Sequence, residues 1–133
     1  DRIEQTQTEL KLDLSNTPAF VKAGDVRLGQ VLLNLISNAL DAMEGSHSPH
    51  LTIRVTNESK VKIYIEDMGP GIDDPERMFD PFYTTKSVDK GEGLGLGLSI
   101  SYGLVQSFGG NIIGTNTATG AQLVVTLDKW NDT

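Results

Sequence analysis

A chain of 133 residues with 38% hydrophobic content is large enough for one buried core and too small for two. It has no cysteine, which removes disulfides, thiolate nucleophiles and cysteine metal sites, and its net charge of −7 opposes binding to nucleic acid or to an anionic membrane surface. No apolar run approaches the roughly 20 residues that cross a bilayer, and the opening Asp1-Arg2-Ile3 is neither an initiating methionine nor a charged-then-apolar leader, so a soluble piece from inside a longer protein is expected.

Leu10, Leu12 and Leu14 alternate with polar residues and predict a half-buried strand that stops at Asn16-Thr17-Pro18, with a short extended piece from Ala19 to Lys22 after it. Asp25 stands at an N-cap position ahead of Leu28, Val31, Leu32, Leu35, Ile36, Ala39, Leu40 and Met43, which fall on one face of a helix. His47 and His50 follow in a turn-rich stretch and read as solvated loop residues, since two histidines without a further ligand make a poor metal site. Leu51, Ile53 and Val55, then Val61, Ile63 and Ile65, predict a hairpin through Asn57-Glu58-Ser59. From Met68 to Gly97 no period is sustained, and a connection of that length in a small domain is usually functional or disordered. A second helix is expected from about Gly97 to Phe108, with Ile100, Leu104 and Phe108 on its inner face and Gly109-Gly110 at its end. Ile112–Thr115 and Gln122–Leu127 close the order as two strands around Thr119-Gly120, with Trp130 packing back on the sheet. The class is α+β, a two-layer α/β sandwich with helices on one face of a mixed sheet.

Four clusters carry chemistry. On the first helix Arg27, Gln30, Asn34, Asn38 and Asp41 fall within about 80° of arc opposite the apolar stripe. Asn is a poor choice for a merely solvated face, and an amide oxygen can coordinate a hard cation shared with phosphates. Asp67-Met68-Gly69-Pro70-Gly71 puts a carboxylate at a strand end beside backbone that can approach a ligand, although alone it could be an ordinary acidic turn. Phe79-Asp80-Pro81-Phe82-Tyr83 sets aromatics about a rigid proline, and Thr84-Thr85-Lys86 adds hydroxyls and a cation. The run from Gly91 to Leu98 alternates glycine with leucine and opens into a helix N-terminus, an arrangement suited to phosphate oxygens. It is neither a P-loop nor a dinucleotide fingerprint, because it lacks Gly-Lys-Ser/Thr and follows no strand.

In this order, Asn34…Asn38, Asp67-x-Gly69-x-Gly71, Phe79-Asp80-Pro81-Phe82 and Gly93-Leu94-Gly95-Leu96-Gly97-Leu98 resemble the N box, first glycine box, F box and second glycine box of histidine-kinase catalytic domains. Those domains belong to the ATPase superfamily shared with gyrase, a heat-shock chaperone and mismatch-repair proteins. The resemblance covers nearly the whole chain and implies one domain over residues 1–133 with a Bergerat ATP-binding fold. Residues 1–7 would be a linker from a dimerisation and phosphoacceptor helix, and residues 79–92 an ATP lid.

It further implies ATP and Mg2+ as cofactors, with Asn38 binding the metal and Asn34 near the attacked phosphate. Asp67 would accept from the exocyclic amine of adenine, Gly69, Gly71 and Ile72 would shape the base pocket, and the backbone of Gly93, Leu94, Gly95, Leu96, Gly97 and Leu98 would hold the phosphates. Phe82, Thr85 and Lys86 would reach the nucleotide from the lid. Implied partners are the phosphoacceptor segment of the same parent and, indirectly, a response regulator, for a cytoplasmic domain of an inner-membrane sensor. Thr84-Thr85-Lys86 with the tight glycine spacing looks most like the subclass of nitrogen-regulatory and dicarboxylate-sensing kinases.

Many members carry a basic residue three positions after the metal-binding asparagine, where this chain has Asp41, and Lys86 is the candidate substitute as a second catalytic residue beside Asn34. The hydrolytic branches usually have a glutamate base where Asn34 stands; an amide cannot take a proton from water, which favours phosphotransfer over hydrolysis. The competing reading is an anti-sigma-factor-like regulatory module that holds nucleotide without transferring phosphate. A phosphoacceptor motif upstream of Asp1 would separate the two.

Overall fold

The computed structural model describes residues 9–13, 21, 25–45, 49–80 and 97–129. Among the described residues the elements in chain order are β1 (Glu9–Asp13), α1 (Asp25–Ala42), β2 (His50–Asn57), β3 (Val61–Asp67), α2 (Gly97–Ser107), β4 (Asn111–Asn116) and β5 (Ala121–Leu127). The strands form a five-stranded sheet in the order β1-β2-β3-β5-β4. β1 runs parallel to β2 and every other pair is antiparallel, which makes the sheet mixed.

Strict alternation decides which sheet face is covered. Val61, Ile63 and Ile65 of β3 and Leu123, Val125 and Leu127 of β5 are buried, while Lys62, Tyr64, Gln122, Val124 and Thr126 are not. Onto the buried face α1 sets Val31, Leu35, Ala39 and Leu40, the turn after it sets Met43, and α2 sets Val105. The other face is polar: the Arg54 guanidinium lies 4.2 Å from the Tyr64 ring centroid, and Glu66 accepts from Arg54 at 3.3 Å and from Gln122 at 2.8 Å.

Two expectations need correction. β1 forms, but its described residues are exposed, with Leu12 at 55%, rather than half-buried. Among the described residues the helices pack chiefly over β3 and β4, while β1 lies at the edge of the sheet. On α2 the inner face is set by Leu98, Ser101, Tyr102 and Val105, with Leu104 and Phe108 at its margin, whereas Ile100 is 59% exposed. The helix is apolar on so many sides that a stripe displaced by one or two positions fits the same period. Its end agrees with expectation: Gly109 has φ +79, and the amides of Gly109 and Gly110 donate to Gln106 and Val105 carbonyls, both at 3.0 Å. Of the expected extended piece, Val21 is described and bridges to Lys129; Leu14 and Trp130 lie outside the described residues.

Candidate functional site

One cross-strand row organises one end of the sheet. Leu10, Leu51, Asp67, Ala121 and Asn116 are register partners from β1 through to β4. Partners in a row point to the same face, so Asp67 is turned to the covered side, where it is buried. A charge there needs donors, and the backbone supplies them: the amides of Gly69 and Ala121 donate to Asp67 Oδ1 at 2.8 and 3.3 Å. Among the described residues both hydrogen bonds to the Asp67 carboxylate fall on Oδ1. Burial pushes the Asp67 carboxyl above its ordinary value, and the two amides pull it part of the way back.

The loop after Asp67 is fitted between α1 and the β4–β5 turn. The Met68 amide lies 3.4 Å from Met43 Sδ, and a Cβ on Gly69 would stand 2.8 Å from the Ala42 carbonyl oxygen. Gly69 is thus the residue that lets the loop abut the end of α1. Gly71 has φ +94, which L side chains rarely adopt, and the next residue, Ile72, packs against the core while its backbone pairs with the Asn116 side chain. A Cβ on Gly120 would fall on the Asp67 carbonyl, so the turn can approach β3 this closely only as glycine.

Asn34 and Asn38 are one turn apart on α1, both half-buried. Asn34 Nδ2 donates to Ser101 Oγ of α2 at 2.8 Å, and Ser101 is 2% exposed, so this polar bond crosses the helix pair inside the packed layer. Asp41, another turn along, is half-buried with a partner of its own. Phe79 stacks on Tyr102 of α2 with ring centroids 5.2 Å apart, and Met78 beside it is buried. The start of the F box is therefore anchored on the helix that carries Ser101. Gly97 begins α2 and Leu98 packs against the core. Phe82, Thr85, Lys86, Gly93, Leu94, Gly95 and Leu96 lie outside the described residues.

The structure thus brings Asp67, Gly69, Gly71 and Ile72 together at one end of β3, and links them through Ala42 and Met43 to the helix that carries Asn34 and Asn38. Sequence reasoning missed Ser101, Tyr102, Asn116 and the Ala121 amide. Only Asn116 left a signal, a turn-forming residue at the end of a predicted strand. Among the described residues no group of three or more His, Cys, Asp or Glu stands together to hold a metal.

Comparison with known proteins gives concordant results. Residues 23–131 match the family described as Histidine kinase-, DNA gyrase B-, and HSP90-like ATPase. The two-component sensor PprA of Pseudomonas aeruginosa is 40% identical over 135 residues, covering 94% of this chain and 14% of that protein. The C4-dicarboxylate transport sensor protein DctB of the same organism is 36% identical over 120 residues, covering 87% of this chain and 19% of that protein. The chain therefore spans less than a fifth of the length of either relative. Among solved structures, the catalytic domain of histidine kinase ThkA has a TM-score of 0.81 at 28% identity, covering 96% of this chain and 84% of that one. ThkA in complex with the response regulator protein TrrA gives 0.79 at 27% identity, covering 97% of this chain and 36% of that one.

Proposed function

The chain belongs to the histidine kinase-, DNA gyrase B- and HSP90-like ATPases, as an ATPase domain of the two-component sensor kind, and we propose from that premise that it presents the γ-phosphoryl group of Mg-ATP to a histidine on another segment of its parent. The observation that supports this most is Asp67, a buried carboxylate fixed on one oxygen by two backbone amides. Its second oxygen would accept from the exocyclic amine of adenine, with Gly69, Gly71 and Ile72 beside the base.

Asn38 would hold magnesium, which when bound neutralises charge on the phosphates. Asn34 would lie near the attacked phosphate, oriented by Ser101. Lys86 would supply the cation that Asp41 does not, and the backbone from Gly93 to Leu98 would hold phosphate oxygens. Catalysis would then be positioning and charge neutralisation, because an amide at position 34 is no base for water.

The partners would be the phosphoacceptor segment and, through it, a response regulator, as the ThkA complex with TrrA suggests by analogy. No described helix is long and apolar enough to cross a membrane, and we place the domain in the cytoplasm beneath a membrane-bound parent. The relatives named above are sensors and kinases, which leaves the anti-sigma-factor-like alternative without an observation in its favour.

Calorimetry tests the site. ATP should bind more tightly with magnesium than without it, and Asn38→Ala should abolish that difference while leaving the fold intact. Equal affinity with and without the metal would remove Asn38 from its role.

A further inference from the structure

Asn116 closes β4 and turns both ends of its carboxamide to the backbone of one distant residue. The Ile72 amide donates to Asn116 Oδ1 at 2.6 Å, and Asn116 Nδ2 donates to the Ile72 carbonyl at 3.0 Å. The backbone's own donor and acceptor fix which way round the side-chain amide lies. The result is a one-residue β-bridge in which a side chain replaces a strand. It grips the chain directly after Gly71, and a Cβ on Gly71 would come within 2.8 Å of Asn116 Oδ1, so the bridge fits only over glycine.

The same turn holds the other end of the loop. After Asn116 the chain reverses: the Thr117 amide donates to the Gly120 carbonyl at 2.8 Å, and Thr117 Oγ1 accepts from the amides of Thr119 at 3.3 Å and Gly120 at 3.0 Å. It then reaches Ala121, whose amide holds Asp67 Oδ1. The turn from 116 to 121 thereby clamps residues 67–72 at both ends. The loop between contains two glycines, whose conformational freedom would otherwise have to be lost when a ligand binds.

We infer that Asn116 is a positioning residue for base recognition: by bridging to Ile72 it fixes the Asp67–Ile72 loop, so that nucleotide affinity and base choice depend on it through the loop and not through contact with the ligand. The inference rests on the adenine-site reading of Asp67 given above. It predicts that loss of the bridge weakens binding and blunts the preference for adenine over guanine, without unfolding the sheet.

The test is titration of the chain with Mg-ATP and with Mg-GTP for the wild type, Asn116→Ala, Asn116→Asp and Thr119→Ala, each checked by thermal melting. Asn116→Asp keeps the shape, the turn propensity and the acceptor for the Ile72 amide, but sets an oxygen against the Ile72 carbonyl. Both Asn116 variants should bind ATP roughly five- to fiftyfold more weakly, as expected for the loss of one or two hydrogen bonds, with a smaller ATP-over-GTP ratio. Thr119→Ala should match the wild type. An Asn116 variant that binds ATP within about twofold of wild type at an unchanged ratio overturns the inference. So does a loss of binding that merely tracks the unfolded fraction.

Should neither Asn116 variant fold, amide exchange in the wild type decides: the Ile72 amide should exchange more slowly than that of Asp73, and equally fast exchange overturns the bridge. A wild-type chain that binds no adenine nucleotide overturns the site reading itself, and the role of Asn116 with it.

Discussion

Asp67 divides its work between two oxygens. Oδ1 is held by the sheet and the glycine loop, while on the proposed reading Oδ2 would choose the base. Asp67→Asn separates the two tasks, since Asn Oδ1 can still accept from both amides while Nδ2 turns a donor toward the adenine amine. ATP affinity should fall at least about tenfold, because an unpaired buried polar group costs roughly 1–3 kcal/mol, and GTP should lose less. Equal losses for both nucleotides would remove Asp67 from base recognition.

The same variant reads the titration of Asp67. Its folded carboxyl keeps its proton to a higher pH than the unfolded one, chiefly because it is buried. The folded state therefore binds more protons, and stability is lost as pH rises from the ordinary carboxylate value to the raised folded one. Urea midpoints of Asp67→Asn should gain on the wild type across that window and then run parallel. A variant that falls behind as pH rises would mean that the ionised carboxylate is favoured in the fold.

At the scale of elements, α1 is both core and scaffold. Leu35 is fully buried on it, while Asn34 beside it reaches α2. Leu35→Ala should cost about 2–5 kcal/mol of stability by chemical denaturation, and it should reduce nucleotide binding only through the unfolded fraction. The Phe79–Tyr102 stack makes a second prediction, that an ordering response begins beyond Phe79. With an ATP analogue, amide exchange should slow across the expected lid, residues 79–92, least at Phe79, and change little at Met78, which is already buried. Unchanged exchange in 79–92 would contradict an ATP lid.

These two helices also mark how far the sequence could be read. The stripe of α1 and the hairpin of β2 and β3 were legible because period and burial coincide there. α2 was legible as an element but not in its facing, since Ile100 fits the apolar period as well as Tyr102 or Val105 and only neighbouring elements exclude it. The exposure of β1 could not be foreseen from alternation alone, because alternation says which residues share a face and not what covers that face. At the site, Asp67 with its glycines was legible as a motif. Ser101 and Asn116 were not: each acts through a single polar bond to a residue far away in the chain, and such a bond leaves no periodic trace.

For the whole molecule the decisive prediction concerns transfer. Incubated alone with γ-labelled ATP, the chain should bind nucleotide and remain unlabelled, because on the proposed reading Asn34 is no base for water and the acceptor histidine lies on another segment. His50 opens β2 and pairs with Glu9 at 2.9 Å, on a strand and not on an acceptor helix. His47 lies outside the described residues. Label should appear only on a separately made phosphoacceptor segment, and acid-labile label on this chain by itself would sink the proposal.

The strand order has a consequence for biosynthesis. β5 is the last strand of the sheet to be translated, yet it lies between β3 and β4, where it supplies the Ala121 amide to Asp67. A ribosome delivers Asp67 first and Ala121 54 residues later, a wait of roughly 3–10 s at ordinary elongation rates. Through that interval the Asp67 carboxylate lacks one of its two amide donors, so on the proposed reading nucleotide binding would be the mark of a finished domain.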